Sequence, residues 1–165
     1  MSETVHLALS VIEAAHLTDL VEQFIELLEG TIDAEALTDP AIARLVPDAY
    51  RGDAEAAAEF RRLTQDDLLD RRRDDAALML GSLQPRGERL IPAGLSDREA
   101  RAEIDLPLDQ TAVAAWLRTL TAVRLVMAVR LEIGDDDPDD ADDPRLGLYN
   151  WLGYRLELLL RAIDR

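Results

Sequence analysis

Residues 109–134 read DQTAVAAWLRTLTAVRLVMAVRLEIG, and this stretch decides the fold. Asp109 can take an orphan amide as an N-cap, and Gly134 can close a helix. Between them Val113, Trp116, Leu117, Leu120, Val123, Met127 and Leu131 recur at three- and four-residue spacing, which predicts a helix from Gln110 to Ile133. Leu125, Val126, Val129 and Ile133 make a second apolar face. A helix apolar on two sides belongs at the centre of a bundle, so the other elements are expected around it.

Toward the N-terminus, Val5, Leu7 and Leu9 alternate with His6, Ala8 and Ser10, the period of a short strand. Ser10 and Glu13 then form a capping-box pair opening a helix to Glu29, with Gly30 as its stop. Its core stripe is Leu17, Leu20, Val21, Phe24, Leu27 and Leu28, and Asp19, Glu22, Glu26 and Glu29 face the other way. Asp39-Pro40 opens a short helix that Pro47 ends. Asp53 caps another from Ala54 to Leu63. Thr64 with Asp67 reads as a fresh cap for a third, from Gln65 to about Leu83, with Leu68, Leu69, Ala76, Met79, Leu80 and Leu83 inward.

Pro85 breaks that run. Residues Arg89 to Ile91 and Ala102 to Leu106 read as two strands of a small hairpin about the turn at Pro92–Gly94. The acidic run 135–143, with Pro138 inside it, reads as a solvated loop. Asp143-Pro144 opens the last helix, with Leu148, Tyr149, Leu152, Leu156, Leu159 and Ile163 as its stripe. The expected fold is mainly α: a single-domain bundle of about five to six helices over residues 1–165, with a short N-terminal strand and the small hairpin.

Composition narrows the function. The chain has no cysteine and no lysine, so thiolate metal sites, thiol nucleophiles, Schiff-base lysines and a phosphate-loop lysine are excluded. Net charge is −16, which repels nucleic acid and favours basic partners, so direct nucleic-acid binding is not expected. Ser2 to Val5 offer no secretory n-region, and no uninterrupted apolar run reaches the ~20 residues of a membrane span, so a cytoplasmic location is expected.

Candidate chemistry is sparse. Glu13 and His16 share a helical face in Glu-x-x-His spacing, but a di-metal carboxylate site needs two such motifs, and Glu13 already has a capping role. Asp135, Asp137 and Asp139 begin like a calcium loop, yet Asp140 stands where its glycine belongs and Leu146 where its glutamate belongs. No metal, cofactor or catalytic residue is expected. Arg61, Arg62, Arg71, Arg72 and Arg73 form a basic stretch among Asp66, Asp67, Asp70, Asp74 and Asp75, and Asp67–Arg71 and Asp70–Arg73 have ion-pair spacing. A charged exposed face is the favoured reading; a site for an acidic ligand or partner is the alternative. Arg124 falls on the core stripe of its helix and Arg130 near its edge. Burial demands a partner for Arg124, and an acid of the first helix is the expected one, with an anion site or partner contact as the rival. Trp151, Tyr154 and Leu158 lie off the last helix's stripe and read equally as an interface or as packing against a neighbouring helix.

Three segments carry a resemblance: Leu45-Val46-Pro47-Asp48-Ala49-Tyr50 leading into residues 57–64, Trp116-Leu117-Arg118 through Arg130-Leu131, and Leu148-Tyr149-Asn150-Trp151-Leu152. In this order they resemble an actinobacterial family catalogued as a domain of unknown function, some of whose members are named oxidative-stress transcriptional regulators (AosR-like). The resemblance implies a cytosolic, helical, non-enzymatic regulator of transcription or stress response. Its implied partner is a protein of the transcription machinery such as a sigma factor, with self-association as a homodimer also open. It implies gene neighbours for the Clp adaptor and for sulfur-carrier-dependent cysteine synthesis. The family's redox-responsive cysteine pair has no counterpart in this sequence, and no catalytic residue carries over. An anion or small-molecule binding module using the arginine-lined surface is the alternative function.

Overall fold

The computed structural model describes residues 3–30, 39–46, 52–84, 87–133 and 143–165, except the side chains at 57, 58, 61 and 62. The acidic run 135–142, Pro47, Pro85 and Gly134 lie outside the described residues, as do the side chains of Arg61 and Arg62.

The chain opens with strand β1 (Val5–Ser10), which runs without a loop into helix α1 (Val11–Glu29). Ser10 and Glu13 form both halves of the capping box, so the strand's last residue is also the helix's first cap. Strand β2 (Glu103–Leu108) enters helix α5 (Gln110–Arg130) in the same way, with Asp109 accepting from the Ala112 amide. β1 and β2 pair antiparallel from Val5 opposite Leu108 to Ser10 opposite Glu103. Leu7, Leu9, Leu106 and Leu108 share the buried face of this ribbon, while His6, Ala8, Asp105 and Pro107 face out.

The pairing corrects the expected hairpin. Residues 88–91 are not a strand. Pro92–Gly94 is a 3-10 turn, and a short helix α4 (Asp97–Arg101), capped by Ser96 and Glu99, leads into β2. β1 offers a ladder of amides and a two-leucine face that Leu106 and Leu108 match, whereas Arg89 is drawn away to the carboxylates of Glu22 and Asp19.

Between the two strand–helix units lie α2 (Pro40–Leu45), capped by Asp39 with Pro40 at its first position, and α3 (Ala54–Ser82), capped by Asp53. α3 runs unbroken for 29 residues, which corrects the expected division at Thr64. Thr64 does not cap anything: its hydroxyl donates 2.8 Å back to the Phe60 carbonyl, which satisfies it inside a helix, and neither Gly nor Pro interrupts the run there. Gln65, Leu69, Ala76, Met79 and Leu83 form its buried seam, and the half-buried Arg72 falls in the same series.

α5 is the central helix, packed against α2, α3, α6 and β2. Trp116 is its largest fully buried side chain, and the indole N–H donates 2.7 Å to Ser82 of α3. By length and composition it could cross a bilayer, with a mean hydropathy of 1.5. Eight of its residues are instead buried in this core, and Arg118, Arg124 and Arg130 interrupt it.

α5 ends at Arg130, three residues short of the expected Ile133. Glu132 adopts a left-handed conformation (φ 55°), the Glu132 amide donates to Val129 and the Ile133 amide to Ala128. That is a Schellman closure with a glutamate where glycine is usual. Asp143 caps a 3-10 turn, Pro144–Leu146, which continues into α6 (Gly147–Ile163). Leu152 and Leu159 anchor α6 in the core, while Leu148 and Ile163 of the expected stripe are exposed.

Candidate functional site

The arginines singled out by the sequence fall into three settings. Arg130, at the C-terminus of α5, grips Asp39 with both ends of its guanidinium, at 3.0 and 2.7 Å. Asp39 also accepts from the Ala41 amide, so this pair locks the start of α2 onto α5. The Arg130 hydrogen bond is the largest influence on Asp39 and holds its carboxyl below the usual aspartate range. Arg130 is therefore a structural clamp.

Arg124 is half-buried, as its place on the stripe requires, but its expected acid is missing. Among the described residues no carboxylate lies within 4 Å of it. Its guanidinium carbon instead rests 4.1 Å from the ring centroid of Tyr149, and Nε donates 3.3 Å to the Tyr149 carbonyl. An aromatic face and a carbonyl both carry negative potential, so they compensate a guanidinium at less desolvation than a carboxylate would demand.

The acid of the first helix pairs with a residue that sequence reasoning missed. Arg155 of α6 donates 2.5 Å to Glu13 and 3.4 Å to the Ala8 carbonyl, and lies over Trp151 at 5.6 Å and Tyr154 at 5.9 Å. Burial pushes Glu13 up, but the Ser10 amide and Arg155 outweigh it and leave the carboxyl below the usual glutamate range. The available signal was position: Arg155 lies one turn beyond Trp151 and one turn before Leu159, at the edge of the buried stripe. With Oε2 on the Ser10 amide and Oε1 on Arg155, Glu13 is committed to the fold, while His16 is exposed. Among the described residues no three His, Asp or Glu side chains gather as a metal site would need.

Trp151 packs against the core, whereas Tyr154 is 55% exposed. On α3, Arg73 lies 3.7 Å from Asp70 as the spacing predicts. No Asp67–Arg71 bridge forms among the described residues, and Arg71 points into a groove instead. This groove, about 540 Å³ in volume, is walled by Leu68, Arg71, Arg72, Asp74 and Asp75 of α3 and by Arg118 of α5. Arg118 donates 3.1 Å to Asp75. Burial pulls the Arg72 guanidinium below the usual arginine range, with Asp75 offsetting part of the effect.

Among the described residues the arginines are largely paired, and the groove between α3 and α5 is the place where several of them converge. A family model described as "Domain of unknown function (DUF2017)" matches residues 1–163. The chain belongs to this family. It is also similar to proteins named "Oxidative stress regulator AosR" from Mycobacterium tuberculosis and Mycobacterium bovis, each 26% identical over 143 residues. The match covers 76% of this chain and 58% of each relative, so the chain spans under two-thirds of their length. No solved structure matches it.

Proposed function

We propose that this chain is a non-enzymatic regulatory protein that acts on transcription or stress response through protein–protein contacts. The likeness to mycobacterial proteins named oxidative stress regulators carries this reading. Three properties support it. The charge of −16 favours a partner with a basic face and opposes direct contact with nucleic acid. Glu13, the carboxylate of the Glu-x-x-His pair, is held by Arg155, and Asp39 by Arg130, so both serve the fold. Tyr154 and Leu160 leave apolar surface on α6 beside the charged Glu157 and Arg161, the mixture of an interface rim. A component of the transcription machinery, a sigma factor among them, is the partner the family likeness points to.

A thiol switch is not available within this chain, which has no cysteine. Crosslinking mass spectrometry in the native host tests the reading. Recovery of a reproducible transcription or stress-response protein joined to α6 is the expected result. Crosslinks confined to unrelated abundant proteins would remove it, and retardation of DNA at low salt would replace it with direct binding.

A further inference from the structure

We infer that the groove between α3 and α5 binds a small oxyanion-bearing molecule, a carboxylate or a phosphate ester, through Arg72, Arg71 and Arg118. The inference stands apart from the identity of any protein partner.

Arg72 lies on the inward seam of α3 between Leu69, 6% exposed, and Ala76, fully buried. Its Nε is sealed from solvent and has no acceptor among the described residues. Among the described residues no carboxylate lies within 4 Å of its guanidinium. A half-buried guanidinium with one N–H sealed and no counter-charge is costly, and the half-buried Arg155 and Arg124 are compensated by Glu13 and by the ring of Tyr149. Asp75 offsets part of the burial of Arg72, but its ion pair is with Arg118.

The groove therefore carries Arg71, Arg72 and Arg118 against Asp74 and Asp75, a local excess of positive charge in a molecule of net charge −16. Guanidinium forks match carboxylate and phosphate oxygens in pairs, and Leu68 adds an apolar wall for the body of the ligand. The volume of about 540 Å³ is that of a small-metabolite site. A long polyanion would meet the acidic surface around the groove. A small oxyanion avoids most of that field, which salt screens beyond roughly 10 Å.

The test is a thermal-shift and calorimetric titration of the full chain with inorganic phosphate and with citrate, against chloride at matched ionic strength. Saturation tenfold above the dissociation constant should raise Tm by about 4 °C. Arg72→Met keeps the aliphatic stem and removes the charge, so it should match or exceed wild-type stability in chloride and lose at least about tenfold in affinity. Arg73→Met, whose arginine pairs with Asp70 outside the groove, should bind as wild type. Arg118→Met frees Asp75 to neutralise Arg72 and should also weaken binding, which gives a reading even if Arg72→Met fails to fold. No rise with either probe in the wild type, or unchanged affinity in both groove variants, overturns the inference. An acidic tetrapeptide of Asp and Glu separates the sources of the oxyanion. Saturation at lower concentration than citrate or phosphate would overturn the small-molecule assignment in favour of a partner's acidic segment.

Discussion

The Arg124 guanidinium is held between the ring of Tyr149, 4.1 Å away, and the backbone of Gly153, where an added Cβ would come within 3.0 Å of Nη2. A stripe arginine of α5 and a glycine of α6 thus meet without an acid between them. Glycine inside a helix normally weakens it by about 1 kcal/mol relative to alanine, so its presence here is explained by the space the guanidinium needs. Gly153→Ala forces the flexible end of Arg124 to give by a few tenths of an ångström, so a weakened arginine–tyrosine stack should cancel most of the helix-propensity gain of about 1 kcal/mol. In an Arg124→Ala background the same substitution should stabilise by about 1 kcal/mol. Urea denaturation of the four proteins of this cycle measures the coupling; a coupling near zero would show that Arg124 does not depend on the gap at Gly153.

Trp116 places an indole N–H in the core, 1% exposed, where only Ser82 accepts it. Ser82 in turn donates 2.7 Å to the Met79 carbonyl, so one hydroxyl joins α5 to the last turn of α3. Ser82→Ala leaves the indole N–H without a partner and should destabilise by about 1 to 3 kcal/mol, read from the shift in the urea midpoint. Ser82→Thr keeps the hydroxyl and should lose less.

Glu132 closes α5 at φ 55°, a conformation that disfavours residues with a Cβ. Glu132→Gly should stabilise by about 1 kcal/mol while leaving the closure intact, visible as a rise in the denaturation midpoint without loss of helicity. A fall in stability would mean that the Glu132 side chain contributes more than its backbone strain removes.

The caps Ser10, Asp39, Asp53 and Asp109 are legible in the sequence because each rests on a bond to an amide two or three residues away. What is not legible depends on distant chain. The pairing of Leu7 with Leu106 has no local signature, so residues 89–91 compete with β1 on paper and lose in space. Thr64 shows the limit of cap reading: its hydroxyl is equally satisfied by the carbonyl one turn back. The position of Arg124 on its stripe is readable, but its partner is not, since burial requires compensation without saying whether a carboxylate, a ring or a carbonyl supplies it. Arg72 hides for another reason. Among Arg71 and Arg73 it looks like part of an exposed charged face, although its spacing from Leu69 and Ala76 already puts it on their stripe.

The pair of Glu13 and Arg155 ties α6 to the junction of β1 and α1, and its pH dependence has a definite sign. Burial opposes ionisation of Glu13, yet the Ser10 amide and Arg155 hold its carboxyl below the ordinary value of 4.5. Glu22, through the Arg89 hydrogen bond, and Asp39, through the Arg130 hydrogen bond, are depressed as well. A carboxyl depressed in the folded state contributes stability that is fully present above its unfolded pKa and is lost as pH falls through its folded pKa. Stability should therefore be level above about pH 5 and decline as pH falls below 4.5 toward the depressed values. Glu13→Gln still accepts the Ser10 amide but loses the charge, so it should cost about 1 to 2 kcal/mol near neutrality, between the values of surface and buried pairs. Because the variant no longer titrates at this position, its stability should fall less than that of the wild type between pH 5 and 3. Urea midpoints measured across that interval check the slope; parallel curves for the two proteins would show that the Glu13 charge adds nothing to the junction.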